Sequence, residues 1–114
     1  MKKGFLYAFM GVAGLSWLIA CKGEKHIPTE TLKQAVILDV RTPGEFNSGH
    51  INGAVNIALS KLHDSVPVYP KDTPIITYCS HGLRSKKAAG LLREHGFTKV
   101  YDGGSQESLE KRLK

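Results

Sequence analysis

The chain has only two cysteines in 114 residues, Cys21 and Cys79, too few for a fold stapled by disulfides. Its histidines are scattered, and His26, His63 and His95 fall at no spacing that suggests a metal site. Aromatic residues are sparse at 8% and do not interleave with basic ones, which speaks against a nucleic-acid surface. No internal repeat or low-complexity segment is present, and the length holds one domain. The only tryptophan, both methionines and two of the four phenylalanines lie in the first twenty residues. Residues 1–20 are therefore of a different kind from the rest.

In that segment Lys2 and Lys3 precede an uncharged run from Gly4 to Ala20, interrupted by Gly11 and Gly14. The run is short for a spanning helix, which needs about 20 apolar residues, and suits the apolar core of an export signal. It closes on Leu18-Ile19-Ala20-Cys21, which resembles the lipobox of bacterial lipoproteins. That resemblance implies lipidation of Cys21, a polar tether over 21–25, and a domain over 26–114 held at the membrane in the cell envelope. An uncleaved membrane anchor and a plain cleaved signal are the alternatives, and all three place the domain outside the cytoplasm. Without Lys2 and Lys3, fourteen basic against ten acidic side chains leave a formal charge of +4, a modest bias towards small anions or an anionic membrane surface. In an oxidising compartment an unpaired Cys79 is either buried and inert or kept for its reactivity.

The segment around Cys79 argues for reactivity. Ile75, Ile76 and Tyr78 form a short β-rich run, and Ala88, Leu91, Leu92 and His95 recur at helical spacing before Gly96. This spacing predicts strand, tight loop and helix, with residues 79–84 as the loop and Ser85 as helix N-cap. A thiol at that junction faces the free amides and the positive end of the helix dipole. With Arg84, Lys86 and Lys87 nearby, its pKa is expected to fall.

Elsewhere the pattern predicts a brief strand at 26–27 and a helix capped by Thr29 through Gln34. A strand over 35–40, buried on both faces, implies a parallel sheet. A helical turn over 43–48, a strand over 54–57 and a helix over 60–65 follow, then a last strand over 99–101 and, after Gly103-Gly104, a closing helix over 105–113. The class is α/β, with a central parallel sheet flanked by helices on both faces. Ligands in such sheets bind beyond the carboxyl ends of the strands. Asp39, Arg41 and Cys79 all fall there. Arg41 is a candidate to lend charge to the thiolate, with a structural pair to Asp39 or Glu45 as the alternative. Asp39 reads as structural and His50 as a turn histidine.

Two long motifs carry a family resemblance. The stretch from Leu38 to Ile57, with Asp39-Val40-Arg41, Glu45-Phe46 and Gly49-His50-Ile51-Asn52-Gly53-Ala54, resembles the first signature of the rhodanese homology domain. Tyr78-Cys79-Ser80-His81-Gly82-Leu83-Arg84-Ser85 resembles its active-site loop. The resemblance implies a single-domain sulfurtransferase in which Cys79 takes sulfane sulfur from a donor such as thiosulfate and passes it to a thiophilic acceptor, cyanide, a thiol or a sulfur-accepting protein. It also implies that the backbone of Ser80, His81, Gly82, Leu83 and Arg84 cradles the sulfur and that the Arg84 side chain binds anions. That chemistry needs no metal or organic cofactor. Gly103-Gly104 matches a further family feature, although the tryptophan that often follows is replaced by Gln106-Glu107-Ser108.

Two other functions use related features. A phosphatase also combines a cysteine, an arginine and a helix N-terminus, but its loop has five residues between them and this one has four. A non-catalytic sulfur-carrier or redox-sensing module would use the fold as a scaffold.

Overall fold

In the computed structural model, which describes residues 26–114, helix and strand alternate along the chain. The elements are α1 (Thr29–Gln34), β1 (Val36–Asp39), α2 (Pro43–Asn47), β2 (Val55–Asn56), α3 (Leu59–Leu62), β3 (Ile75–Cys79), α4 (Leu83–Glu94), β4 (Val100–Ser105) and α5 (Gln106–Leu113). The strands form one sheet in the order β2-β1-β3-β4, and every pairing is parallel. The expected export signal, lipidation site Cys21 and polar tether lie outside the described residues. Among the described residues, no helix is long and apolar enough to cross a membrane.

β3 is the centre of the sheet, and all five of its residues are buried. Alternation along a strand sends successive side chains to opposite faces. Ile75 and Cys79 accordingly join the core under α3 and α4, with Leu62, Ala88, Ala89 and Leu92, while Ile76 and Tyr78 join the core on the other face, with Ile51 and Leu109. In α4 the buried residues Ser85, Ala88, Ala89 and Leu92 follow the i, i+3, i+4, i+7 spacing of one helical stripe. The catalytic cysteine candidate is thus anchored between the central strand and the longest helix.

Several boundaries depart from the sequence expectations, among them the helix expected over 60–65, which is the shorter Leu59–Leu62 capped by Ala58. Ile27 belongs to the core as an isolated buried side chain, and residues 26–27 form no strand. Thr29 is the first residue of α1 and not its cap, a position taken by Pro28. The last strand runs on to Ser105, so that Gly103 and Gly104 lie inside it. Gly103 permits this because β4 passes very close to β3 there. A Cβ at 103 would stand 2.8 Å from the Thr77 carbonyl oxygen and 2.9 Å from Ile76 Cγ2, closer than packed atoms tolerate. The pairing of β3 with β4 shifts register at this point, between Thr77 and Cys79.

Candidate active site

Cys79 ends β3 at the carboxyl edge of the sheet, and the chain turns directly into α4. Gly82 makes the turn. Its φ of 97° lies in the left-handed region that glycine adopts without a Cβ penalty, and it is the N-cap of α4. The helix therefore begins at Leu83, and Ser85 stands in its first turn instead of capping it.

This placement aims the first-turn amides at the sulfur. Gly82 N–H donates to Cys79 Sγ at 3.0 Å and Ser85 N–H at 3.3 Å. Burial is the largest single influence on the thiol and pushes its pKa up. The Ser85 and Gly82 amides, the Ser85 hydroxyl and the His81 amide together outweigh it, so the pKa lies below the ordinary thiol value. The expected lowering is present, with loop amides in the leading role that the sequence shared with cations. Cys79 itself is 1% exposed, with the loop amides as its polar partners.

The two arginines have different fates. Arg84 forks onto Glu45 from α2, Nη1 to Oε1 at 2.7 Å and Nη2 to Oε2 at 3.1 Å. Glu45 Oε2 also accepts from the Ser80 hydroxyl at 3.0 Å, while its Oε1 accepts from Thr42 N–H in a capping box at the start of α2. One carboxylate thus staples α2 to the cysteine loop. The Arg84 guanidinium is the main reason that the Glu45 carboxyl is held well below the usual carboxylate range.

Arg41 is buried, and this corrects its expected place in a substrate site. Its Nε and Nη2 grip Asp39, Nη2 reaching Oδ2 at 2.6 Å, and Nη2 also donates to the Gly49 carbonyl at 2.8 Å. The guanidinium lies over the Tyr78 ring, 5.6 Å from its centroid. Arg41 holds the 43–53 segment to the sheet, with its Nε and Nη2 committed to Asp39 and Gly49. Asp39 is structural as expected, and His50 is a turn histidine stacked on Phe46 with Nδ1 2.9 Å from the Phe46 carbonyl.

The remaining loop residues divide simply. The Ser80 side chain is engaged by Glu45, whereas His81 and Leu83 are exposed at the rim. Beside the loop a cleft of about 270 Å³ is lined by Val40, Thr42, Ala58, Leu59, Ser60 and Arg84. A larger groove of about 920 Å³, between α1 and α5, contains none of the loop residues. No cluster of metal ligands occurs among the described residues.

Sequence reasoning missed two residues. Glu45 entered only as a partner for Arg41, and its Thr42-x-x-Glu45 capping pattern marks a helix start without revealing that both carboxylate oxygens also reach a residue 39 positions away. Asp102 was not singled out. Its Oδ1 accepts from Ser85 Oγ at 2.7 Å and from Gly104 N–H at 2.9 Å, and its position just before Gly103-Gly104 was the available signal.

Comparison with known proteins adds a family. The rhodanese-like domain family matches residues 24–111. An uncharacterized protein of Bacillus subtilis is 43% identical over 70 residues, which cover 61% of this chain and 56% of that protein's length. The thiosulfate sulfurtransferase GlpE of Shewanella oneidensis is 40% identical over 88 residues, covering 70% of this chain and 87% of the relative. Among solved structures, a rhodanese with anions from E. coli superimposes with a TM-score of 0.61 at 30% identity, covering 65% of this chain and 89% of that one.

Proposed function

Because this chain belongs to the rhodanese-like domain family, we propose that it is a sulfurtransferase that carries sulfane sulfur on Cys79. The observation that carries this reading is the Cys79 sulfur in its ring of loop amides. In the first half-reaction the thiolate attacks the outer sulfur of thiosulfate. A new S–S bond forms, the S–S bond of the donor breaks, and its electron pair leaves with sulfite. The terminal persulfide sulfur now bears the negative charge, and the exposed rim of the loop faces it. In the second half-reaction cyanide or a thiolate attacks that terminal sulfur, and the Cys79 thiolate is released to the same amides that held it at the start.

The anions in the similar E. coli structure and the thiosulfate activity named for the Shewanella relative support an anionic donor. Arg84 supplies the cation, in competition with Glu45. The four residues between Cys79 and Arg84 favour a single sulfur over a phosphoryl group. Intact mass before and after exposure to thiosulfate tests the reading. The wild type should gain one sulfur atom, cyanide should remove it as thiocyanate, and Cys79→Ser should gain nothing. Hydrolysis of aryl phosphates through Cys79, with no sulfur gained from any sulfane donor, would assign the loop to a phosphatase.

On the sequence of residues 1–21 we also infer a lipid anchor at Cys21, with the domain at the membrane of the cell envelope. The native protein should partition with membranes, and Cys21→Ser should release it with activity retained. Recovery of unmodified Cys21 in an internal peptide of the native protein would remove the anchor.

A further inference from the structure

The outer face of α4 leads away from the cysteine loop, and the sulfur-transfer reading uses only its first turn. Between α3 and α4 runs a groove of about 450 Å³, with Leu59, Gly90 and Leu91 as its apolar lining and Lys87 and Glu94 among its polar residues. Leu59 and Ser60 line both this groove and the smaller cleft beside the loop, which Arg84 also lines. The two spaces share a wall and make one path from the loop along the helix. Arg84, Lys87, Leu91 and Glu94 mark that path on α4, and ten residues of helix rise about 15 Å. An extended peptide covers the same distance in about four or five residues. Cyanide needs none of it.

The lining is shaped for an extended occupant. A Cβ built on Gly90 meets no atom within 4 Å, so the missing side chain leaves open floor. Helical spacing puts Leu83 on the same stripe as Lys87 and Gly90, and Leu83 stands 76% exposed where the loop enters the helix. Among the described residues neither Lys87 nor Glu94 has an ion-pair partner. A cation therefore waits near the loop and an anion at the far end. We propose that this path is an acceptor subsite for an extended, cysteine-bearing peptide segment of a partner protein. Such a segment would carry an acidic side chain one or two residues from its cysteine, facing Lys87, and a basic one about four or five residues from it, facing Glu94. The apolar floor supplies contact area and the two charges fix register. The inference rests on Cys79 as sulfur carrier and names what takes the sulfur. The acceptor cysteine gives its proton to solvent, and its thiolate attacks the terminal persulfide sulfur. A new S–S bond forms on the acceptor, the bond from that sulfur to Cys79 Sγ breaks, and its electron pair returns to Cys79.

Binding and chemistry are tested separately, so that the subsite and the sulfur-transfer reading can fail apart. Short peptides of the stated charge order, and charge-reversed counterparts, are made in both chain directions, with serine in place of cysteine for binding. Fluorescence anisotropy follows their binding to the full chain. The matched peptide should bind the more tightly, Gly90→Leu should weaken it about tenfold, and Lys87→Glu should reverse the preference to about threefold the other way. With cysteine restored and the chain loaded from thiosulfate, intact mass follows loss of the Cys79 sulfur. Gly90→Leu should slow transfer to the matched peptide about tenfold and leave transfer to cyanide unchanged. Equal affinity for the two peptides, or an affinity that neither variant moves, overturns the proposal, as does an equal slowing of transfer to cyanide. Dimerisation in sedimentation that Gly90→Leu abolishes would assign the face to a second copy of the chain and overturn it too. Should Gly90→Leu lose its cooperative thermal transition, the reversal by Lys87→Glu decides. A chain that binds the matched peptide but gains no sulfur from thiosulfate would keep the peptide site and fail the sulfur-transfer reading.

Discussion

Two arginine–carboxylate pairs flank the cysteine loop, alike in chemistry and opposite in setting. Arg41 and Asp39 are almost wholly shielded, with side chains 8% and 0% exposed. Arg84 and Glu45 are 34% and 35% exposed. The buried pair is closed on itself by two further contacts, the Arg41 amide to Asp39 at 2.9 Å and Arg41 Nη2 to the Gly49 carbonyl. An anionic ligand cannot replace Asp39 without leaving a carboxylate stranded in the core. The rim pair is open to solvent on one side, so on the proposed function it is there that a donor anion would compete with Glu45, against an exposed pair of modest strength. Burial, and not residue type, divides framework from site.

The largest effect should come from breaking the buried pair. Asp39→Ala leaves the Arg41 guanidinium uncompensated and should destabilise the domain by about 3–5 kcal/mol, read from denaturant midpoints at constant slope. A loss below about 1 kcal/mol, the range of an exposed pair, would erase the distinction between the two arginines.

The rim pair should respond in binding. Arg84→Ala removes a charge-assisted contact to the donor, and the apparent KM for thiosulfate should rise roughly tenfold with the thermal midpoint almost unchanged. Glu45→Gln keeps the shape and removes the competitor, so KM should fall about threefold, in line with the modest strength of an exposed pair. Steady-state kinetics with both variants check this. A KM that moves the same way in both would make Glu45 a support for Arg84 and not its rival.

How much of this was legible in the sequence follows the range of the interactions involved. The alternation of Ile75 to Cys79, the helical stripe through Ala88 and Leu92, and the loop between them were readable, because each is set by neighbours a few residues apart. The α/β class followed from the same periodicities. The helix start was misplaced by three residues because Ser85 has the chemistry of a cap, whereas the backbone turn is made by Gly82. The end of β4 was misjudged because Gly103-Gly104 reads as a turn, and only the close approach of Thr77 explains a glycine within a strand. Glu45 and Asp102 were missed because their partners, Arg84 and Ser85, lie 39 and 17 residues away. No local pattern encodes a contact between segments that meet only after the sheet has assembled.

Acid should sharpen the comparison with a smaller effect. The Glu45 carboxyl is held below its ordinary value, chiefly by Arg84. Its contribution to stability is therefore full above the ordinary value of 4.5 and is lost progressively as pH falls towards the folded value. The stability difference between wild type and Glu45→Gln should shrink below pH 4.5, by less than about 1 kcal/mol for a pair this exposed. Denaturation of both proteins at neutral pH and in the acid range measures it. A difference that grew with acid would mean that the protonated form is the one bound in the folded state.

Salt should produce the smallest effect and the cleanest separation. The Debye length falls from about 10 Å at 0.1 M to about 3 Å at 1 M, so ions at high salt screen charges that water can reach. Glu45 and Arg84 are open to solvent along one side, and the stability lost on Glu45→Gln should therefore diminish by a few tenths of a kcal/mol, roughly, across that range. Asp39 is sealed from the ions, so the loss on Asp39→Ala should stay constant within error. Salt shifts the stability of every protein through its surface charges, and the informative quantity is the change in each mutant's difference from wild type. Equal screening of the two differences would place Asp39 within reach of solvent and make Arg41 available to a donor after all. Screening of the rim pair alone would leave Arg84 as the cation of the two that can exchange its carboxylate for a ligand.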